Sequence, residues 1–202
     1  MKEYQILLFY NYTNIEDPEQ LMHDQRELCK WFGLKGRIIV SREGINATVE
    51  GEKSKTEEYV LELKKDKRFA NTHIKRSIGD GSSFPKLSVR VRDELVSGHL
   101  GDDDIDPNQT TGKHITAEEL HEWFESGEEF YIIDMRNDYE FKVGHFAGSI
   151  LPRLENFRDL PKILPEIEHL KDKKNLTVCT GGVRCEKASG YLLSKGFEHV
   201  HQ

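Results

Sequence analysis

The chain has 202 residues, 36% hydrophobic and 32% charged, with a formal charge of -7. That length suits one large domain or two small ones, and no apolar run nears the roughly 20 residues that span a bilayer. Three cysteines are too few for a disulfide framework, so a reducing cytoplasm is the expected compartment.

The N-terminus (MKEYQILLFYNY) has no small-residue cleavage site and reads as a first strand over 4–10, apolar on both faces as a central strand is. Asp17-Pro18-Glu19-Gln20 then opens a helix: Asp17 caps it, Pro18 suits the first position, and Gln20 is expected to complete a capping box. Leu21, Leu28 and Phe32 recur near helical spacing, and Gly33 and Gly36 close the helix. Strands follow at 37–41 and 45–50 around an Arg42-Glu43-Gly44 turn, where Asn46 reads as a turn former or as a nucleic-acid contact. Ser54 to Glu57 resembles a second capping box, leading a helix with Tyr59, Val60 and Leu63 on one face; 73–78 is a last strand. The order βαββαβ is the ferredoxin-like pattern. Residues 86–96 alternate as a half-exposed strand, with Leu87, Val89 and Val91 inward and Arg90 and Arg92 outward.

The acidic, turn-rich stretch from Gly98 to Lys113 is the expected linker, dividing a domain at 1–97 from one at 114–202. Thr116 to Glu119 is a further capping box, opening a helix whose buried stripe is Leu120, Trp123 and Phe124. Strands at 131–135 and 176–179 and a helix at 186–195 imply an α/β domain with a parallel sheet. One more strand begins at the last residues, so the domain is expected to be incomplete at its C-terminus.

The segment from Val178 to Glu186 carries the chemistry. A strand delivers Cys179 to its C-terminal end, a short loop (Thr180, Gly181, Gly182) follows, and a helix begins near Val183, Arg184 and Cys185. In open α/β sheets ligands bind at such ends. Loop N–H groups and the helix dipole converge there and favour an anion, lowering the pKa of a thiol placed at that point. Arg184 adds positive charge. Asp134 and Arg136, at the end of a neighbouring strand, are candidate supports: Asp134 as an acceptor for the loop's N–H groups, Arg136 as a partner for Glu140. Cys185 is either a second reactive thiol or a helix-start residue. Cys29 reads as a buried small hydrophobe.

In order and spacing, Ile115-Thr116, Ile133-Asp134-Met135-Arg136, Glu140-Phe141, Gly144-His145-Phe146-Ala147-Gly148-Ser149 and Cys179-Thr180-Gly181-Gly182-Val183-Arg184 resemble the rhodanese domain. The resemblance implies that Cys179 carries a sulfur atom as a persulfide. Four residues separate Cys179 from Arg184, one fewer than in the phosphotyrosine phosphatase loop, which suits one sulfur better than a phosphoryl group.

Together with 36–51 (GRIIVSREGINATVEG), Phe84-Pro85-Lys86-Leu87 and Glu186-Lys187-Ala188-Ser189, the whole chain resembles the bacterial tRNA uridine hydroxylase family. That resemblance implies oxygen-dependent 5-hydroxylation of wobble uridine 34 in tRNA, with molecular oxygen as co-substrate and tRNA as partner. It also implies a C-terminal extension beyond these residues. The alternative is a general sulfurtransferase using thiosulfate or a protein persulfide; an inactive binding module would be expected to lack the cysteine.

The candidate tRNA-binding residues are Lys64, Lys65, Lys67, Arg68, Lys75, Arg76, Arg90 and Arg92, since residues 1–78 hold 14 Lys/Arg against 13 Asp/Glu while the rest is acidic. The plainer reading of a lysine-rich helix end is a solvated face. Tyr4, Tyr10 and Tyr12 read as packing residues or as base-stacking ones. No flavin, nicotinamide or zinc fingerprint is present, and no metal site or resident cofactor is expected. His199 and His201 share a strand face as an incidental pair, and His145 reads as a packing residue.

Overall fold

The computed structural model describes residues 3–202, which divide into one unit ending at Leu95 and a second running from Val96 to Gln202. No helix among the described residues is long and apolar enough to cross a membrane.

The first unit has the order β1 (Tyr4–Tyr12), α1 (Pro18–Trp31), β2 (Lys35–Ser41), β3 (Gly44–Glu52), α2 (Lys53–Leu63), β4 (Ile74–Gly79) and β5 (Leu87–Val91). The sheet order β4-β1-β3-β2-β5 is the expected ferredoxin-like arrangement, with β5 added parallel to β2 at one edge. β1 is internal, as expected, but only one of its faces is core. Gln5, Leu7 and Phe9 are buried beneath the helices, while Tyr4, Ile6, Leu8 and Tyr10 are half-exposed on the open face. Each core side chain of this size contributes about 1.5–3 kcal/mol by leaving water.

The expected caps divide. Asp17 accepts the Gln20 N–H at 2.9 Å, but the Gln20 side chain turns away to Asp24, so no box closes. The expected Ser54–Glu57 box does not form: α2 runs straight out of β3 from Lys53, so Ser54 already lies inside the helix, and Glu57 accepts from Arg76 instead. The β2–β3 hairpin turns at Arg42-Glu43. Gly44, at φ 142°, packs where a Cβ would overlap the Asn11 carbonyl. Asn46 is therefore a β3 residue, not a turn former; it faces Tyr10 on β1 and Ile39 on β2.

The second unit carries a parallel sheet, β6 (Tyr131–Asp134), β7 (Lys174–Val178) and β8 (His199–His201), in that order. Its helices are α3 (Ala117–Ser126), α4 (Asp138–Val143), α5 (Leu160–Ile167) and α6 (Val183–Ser194). Thr116 and Glu119 form the expected capping box of α3. The expected buried stripe is at the surface instead: Trp123 is half-buried beneath the Lys174 ammonium, and Phe124 is 50% exposed.

Residues 98–113 are not a free linker. Leu100 is buried in the second core, the nearly buried Lys187 (2% exposed) pairs with Asp104 at 2.7 Å, and the Gly112 N–H donates to Ser189 Oγ. Glu186 accepts from Thr111 and Gln202. Composition marked this stretch as polar, but its polar atoms serve a buried network on α6, where leaving them unpaired would be costly.

Candidate active site

β7 is the middle strand of the parallel sheet, and Cys179 follows its last residue. Gly182, at φ 103° and ψ -34°, turns the chain into α6, a conformation that side-chain-bearing residues rarely adopt. Its N–H donates to the Cys179 sulfur at 3.1 Å. Cys185, in the first turn of the helix, favours the charged form of the same sulfur through its thiol and its N–H. These donors and the Arg184 charge outweigh burial and lower the Cys179 pKa to about 5. The group is therefore a thiolate at neutral pH. Cys185 is held well above the ordinary thiol range, first by burial and then by its negative neighbour, and stays a protonated donor.

The supports differ from the expected ones. Asp134 accepts from the Arg136 backbone and guanidinium (2.7–3.1 Å), not from the Cys179 loop. Arg136 pairs with Asp134 and donates to the Gly144 carbonyl, not to Glu140. Both are fixed two residues apart by a tight turn, which leaves Glu140 for a different cation. Arg184 binds Glu140 through two parallel N–H donations of 2.8 Å each, and Thr180 donates to the same carboxylate at 2.5 Å. The Arg184 hydrogen bond, acting first, holds the Glu140 carboxyl at about 2. Glu140 thus locks the loop's arginine in place; sequence reading missed this role, although Glu140 stands in the rhodanese-like motif.

A cavity of about 260 Å³ opens beside the sulfur, lined by Asp134, Arg136, Gly144, His145, Phe146 and Cys179 among others. His145 is not packed in a core: it is exposed, stacked on Phe141 at 3.8 Å, with Nδ1 3.0 Å from the Phe141 carbonyl. Phe146 (43%), Tyr139 (63%) and Val143 (91%) are also exposed in this stretch. Arg184 faces a second cavity, of about 370 Å³, with His99, Asn137, Asn156 and Arg158.

The basic residues of the first unit do not gather on one surface. Lys65 pairs with Glu62 and Arg68 with Asp66 around the end of α2, where Lys64 and Lys67 are also exposed. On β4, Arg76 points to the helix side and pairs with Glu57, whereas Lys75 lies on the open face opposite Leu8. Arg90 shares that open face, but on β5, four strand spacings or roughly 19 Å away. Arg92 is exposed just past β5. Between them stand Arg37, which the sequence reading missed, and the row Tyr10, Asn46 and Ile39 that ends at Arg90. The alternation of β2 was the available signal for Arg37. Tyr4 and Tyr10 are on this face, while Tyr12 is buried.

His201 is half-buried, edge-on to Trp123, and burial lowers its pKa; His199 is exposed. No group of three or more His, Cys, Asp or Glu residues able to hold a metal ion occurs among the described residues.

Residues 4–95 match the UPF0176 acylphosphatase-like domain, and residues 116–202 match the rhodanese-like domain. A Bacillus velezensis protein named tRNA uridine(34) hydroxylase is 48% identical over 202 residues, covering 100% of this chain and 62% of its own. A Bacillus pumilus protein of the same name is 50% identical, with the same coverage. The chain thus spans about 62% of the length of these relatives. The BLUF protein BlrB superposes with a TM-score of 0.40 at 19% identity, over 63% of this chain and 98% of that one.

Proposed function

We propose, for a chain that belongs to the family joining a UPF0176 acylphosphatase-like domain to a rhodanese-like domain, that it acts in oxygen-dependent 5-hydroxylation of wobble uridine 34 in tRNA, with Cys179 as the functional centre. Its work lies in the cytoplasm, with tRNA as partner and molecular oxygen as co-substrate. The observation that carries the reading is the Cys179 thiolate, cradled by N–H donors beside an open cavity, in a chain 48% identical to proteins named for this reaction.

Each residue has a definable task. The Gly182 and Cys185 donors hold negative charge on the Cys179 sulfur, the state in which it acquires a sulfane sulfur. Glu140 and Thr180 fix the Arg184 guanidinium. The exposed rings of Phe146 and Tyr139 suit stacking on an unpaired base. The polar cavity with Arg158 and Arg184 suits a neighbouring phosphate. The open face of the first sheet, with Arg37, Arg90, Lys75 and Tyr10, supplies backbone contacts; Lys64, Lys65, Lys67, Arg68 and Arg92 add charge elsewhere on this unit.

The test is nucleoside mass spectrometry of tRNA from cells whose full-length protein carries Cys179→Ala. Loss of 5-hydroxyuridine, restored by wild type, is expected; an unchanged level overturns the reading. The low-pKa thiolate also favours a second reading, sulfur transfer from thiosulfate. Thiocyanate formation with cyanide, abolished in Cys179→Ser, would support it, and absence of turnover would reject it.

A further inference from the structure

The open face of the first sheet carries a pattern that phosphate contacts alone leave without a purpose. Strand register sets its side chains in rows. One row is Lys75, Leu8, Thr48, Arg37 and Ser88, and the next is Tyr10, Asn46, Ile39 and Arg90. A third is Ser77, Ile6, Glu50 and Lys35. Glu50 is the one carboxylate in these rows, and it is withdrawn from the surface. It is 2% exposed and accepts from the Asp80, Gly81 and Ser83 N–H groups.

The exposed cations of these rows stand on β4, β2 and β5. Between β4 and β2 lie β1 and β3, whose outward residues Ile6, Leu8, Tyr10, Asn46 and Thr48 are neutral and half-exposed. Arg37 and Arg90 have neutral neighbours across the strands, Thr48, Ser88 and Ile39, whereas Lys65, Arg68 and Arg76 are turned to carboxylates of their own unit. The Tyr10 ring meets the buried Tyr12 edge-on, with centroids 6.2 Å apart, so the sheet itself braces it.

Charge selects the occupant. A second copy laid on this face would set Arg37 and Arg90 against like charges. An acidic peptide or an RNA duplex satisfies the cations, but a duplex keeps its base planes stacked inside, and neither needs the ring or the amide. An unpaired strand offers phosphates to the cations, base faces to Tyr10 and base edges to Asn46. We propose that this face binds a single-stranded segment of RNA, with one base stacked on Tyr10, a base edge against the Asn46 amide and flanking phosphates on Arg37, Arg90 and Lys75. An open sheet of this kind takes about two or three bases. The proposal rests on the tRNA reading for its choice of RNA and adds that the segment held here is unpaired. It requires no chemistry at Cys179.

The test is fluorescence anisotropy with the full chain and a labelled RNA of about sixteen nucleotides without self-complementarity, used alone and annealed to its complement. At equal salt the single strand is expected to bind at least about tenfold more tightly than the duplex. Tyr10→Ala should weaken the single strand at least about fivefold, with an unchanged salt slope, because a base face carries no charge. Tyr10→Ile, which keeps a strand-forming side chain, should do the same, and Tyr10→Phe, which keeps the ring, should bind within about twofold of wild type. Urea midpoints verify that each variant is folded. Equal affinity for the duplex overturns the proposal, as does unchanged binding in folded Tyr10→Ala and Tyr10→Ile. An oligoglutamate of matched charge that binds as tightly as the single strand also overturns it. If the strand binds while 5-hydroxyuridine persists in Cys179→Ala cells, the proposed reaction falls and this site stands. If 5-hydroxyuridine is lost there but the strand does not bind, this site alone falls.

Discussion

Two cysteine environments, one in each unit, take the same side chain in opposite directions. In the first core, Cys29 is enclosed by apolar side chains and Tyr59, and burial pushes its pKa up to about 12. In the second unit, Cys179 follows a strand, faces three hydrogen donors and a guanidinium, and falls to about 5. Burial acts in the same direction at both sites. What differs is how strongly the charged form is favoured: Cys29 has one opposing hydrogen bond, with Tyr59, whereas at Cys179 several hydrogen bonds and the Arg184 charge together outweigh burial. Reactivity in this chain is therefore a property of the turn after β7.

The largest expected break in this contrast comes from removing the reactive sulfur. At pH 7, wild type should be alkylated once by iodoacetamide, at Cys179, with a rate that falls as pH drops through about 5. Cys179→Ser should reduce labelling of the folded chain to background, while Cys29 reacts only after unfolding. Labelling of Cys29 at the rate of Cys179 would erase the distinction.

The two sites should also give stability slopes of opposite sign. The folded-state pKa of Cys179 is depressed below the unfolded value of about 8.5, so its contribution is present above that pH and is lost as pH falls through about 5. That of Cys29 is raised, so its contribution is present below about 8.5 and is lost as pH rises towards about 12. Urea midpoints of Cys29→Ser and Cys179→Ser across this range, compared with wild type, check both signs.

Glu140→Gln is expected to cost about 1–2 kcal/mol at pH 7, because the carboxyl falls from its ordinary value to about 2 in the folded chain and solvent screens part of that effect. A depressed carboxylate stabilises above its unfolded pKa and loses that contribution as pH falls. The wild-type advantage should therefore shrink between about pH 4.3 and about pH 2. An equal difference across that window would mean that the Arg184 pair contributes little.

Gly182→Ala should cost about 1–2 kcal/mol through strain at φ 103°. It should also raise the Cys179 alkylation midpoint by disturbing the 3.1 Å donation. A loss of stability without a change in midpoint would separate the turn's shape from its electrostatics. The smallest effects belong to the open face of the first sheet. Arg37→Ala and Arg90→Ala should leave stability within about 0.5 kcal/mol. On the proposed reading, each should lower the salt dependence of tRNA binding by about one unit of slope, read by filter binding across a salt series. Arg76→Ala, whose guanidinium faces Glu57, should leave that slope unchanged.

The sequence by itself determined the parts that depend on neighbouring residues. Alternation and caps gave the strands, the Asp17 cap and the Thr116 box, and the strand–Cys179–glycine–helix order placed the turn between β7 and α6, because each is set within a few residues. Only the tertiary structure decided the pairing of Arg184 with Glu140, 44 residues away. It also decided the docking of 98–113 on α6 through Lys187 and Ser189, and the division of Lys75 from Arg76 between the two faces of β4. These depend on which strand lies beside which and on where a helix buries its polar atoms. A local pattern names the candidates for such contacts, but the partner is chosen by long-range register and by the cost of leaving a buried charge unpaired.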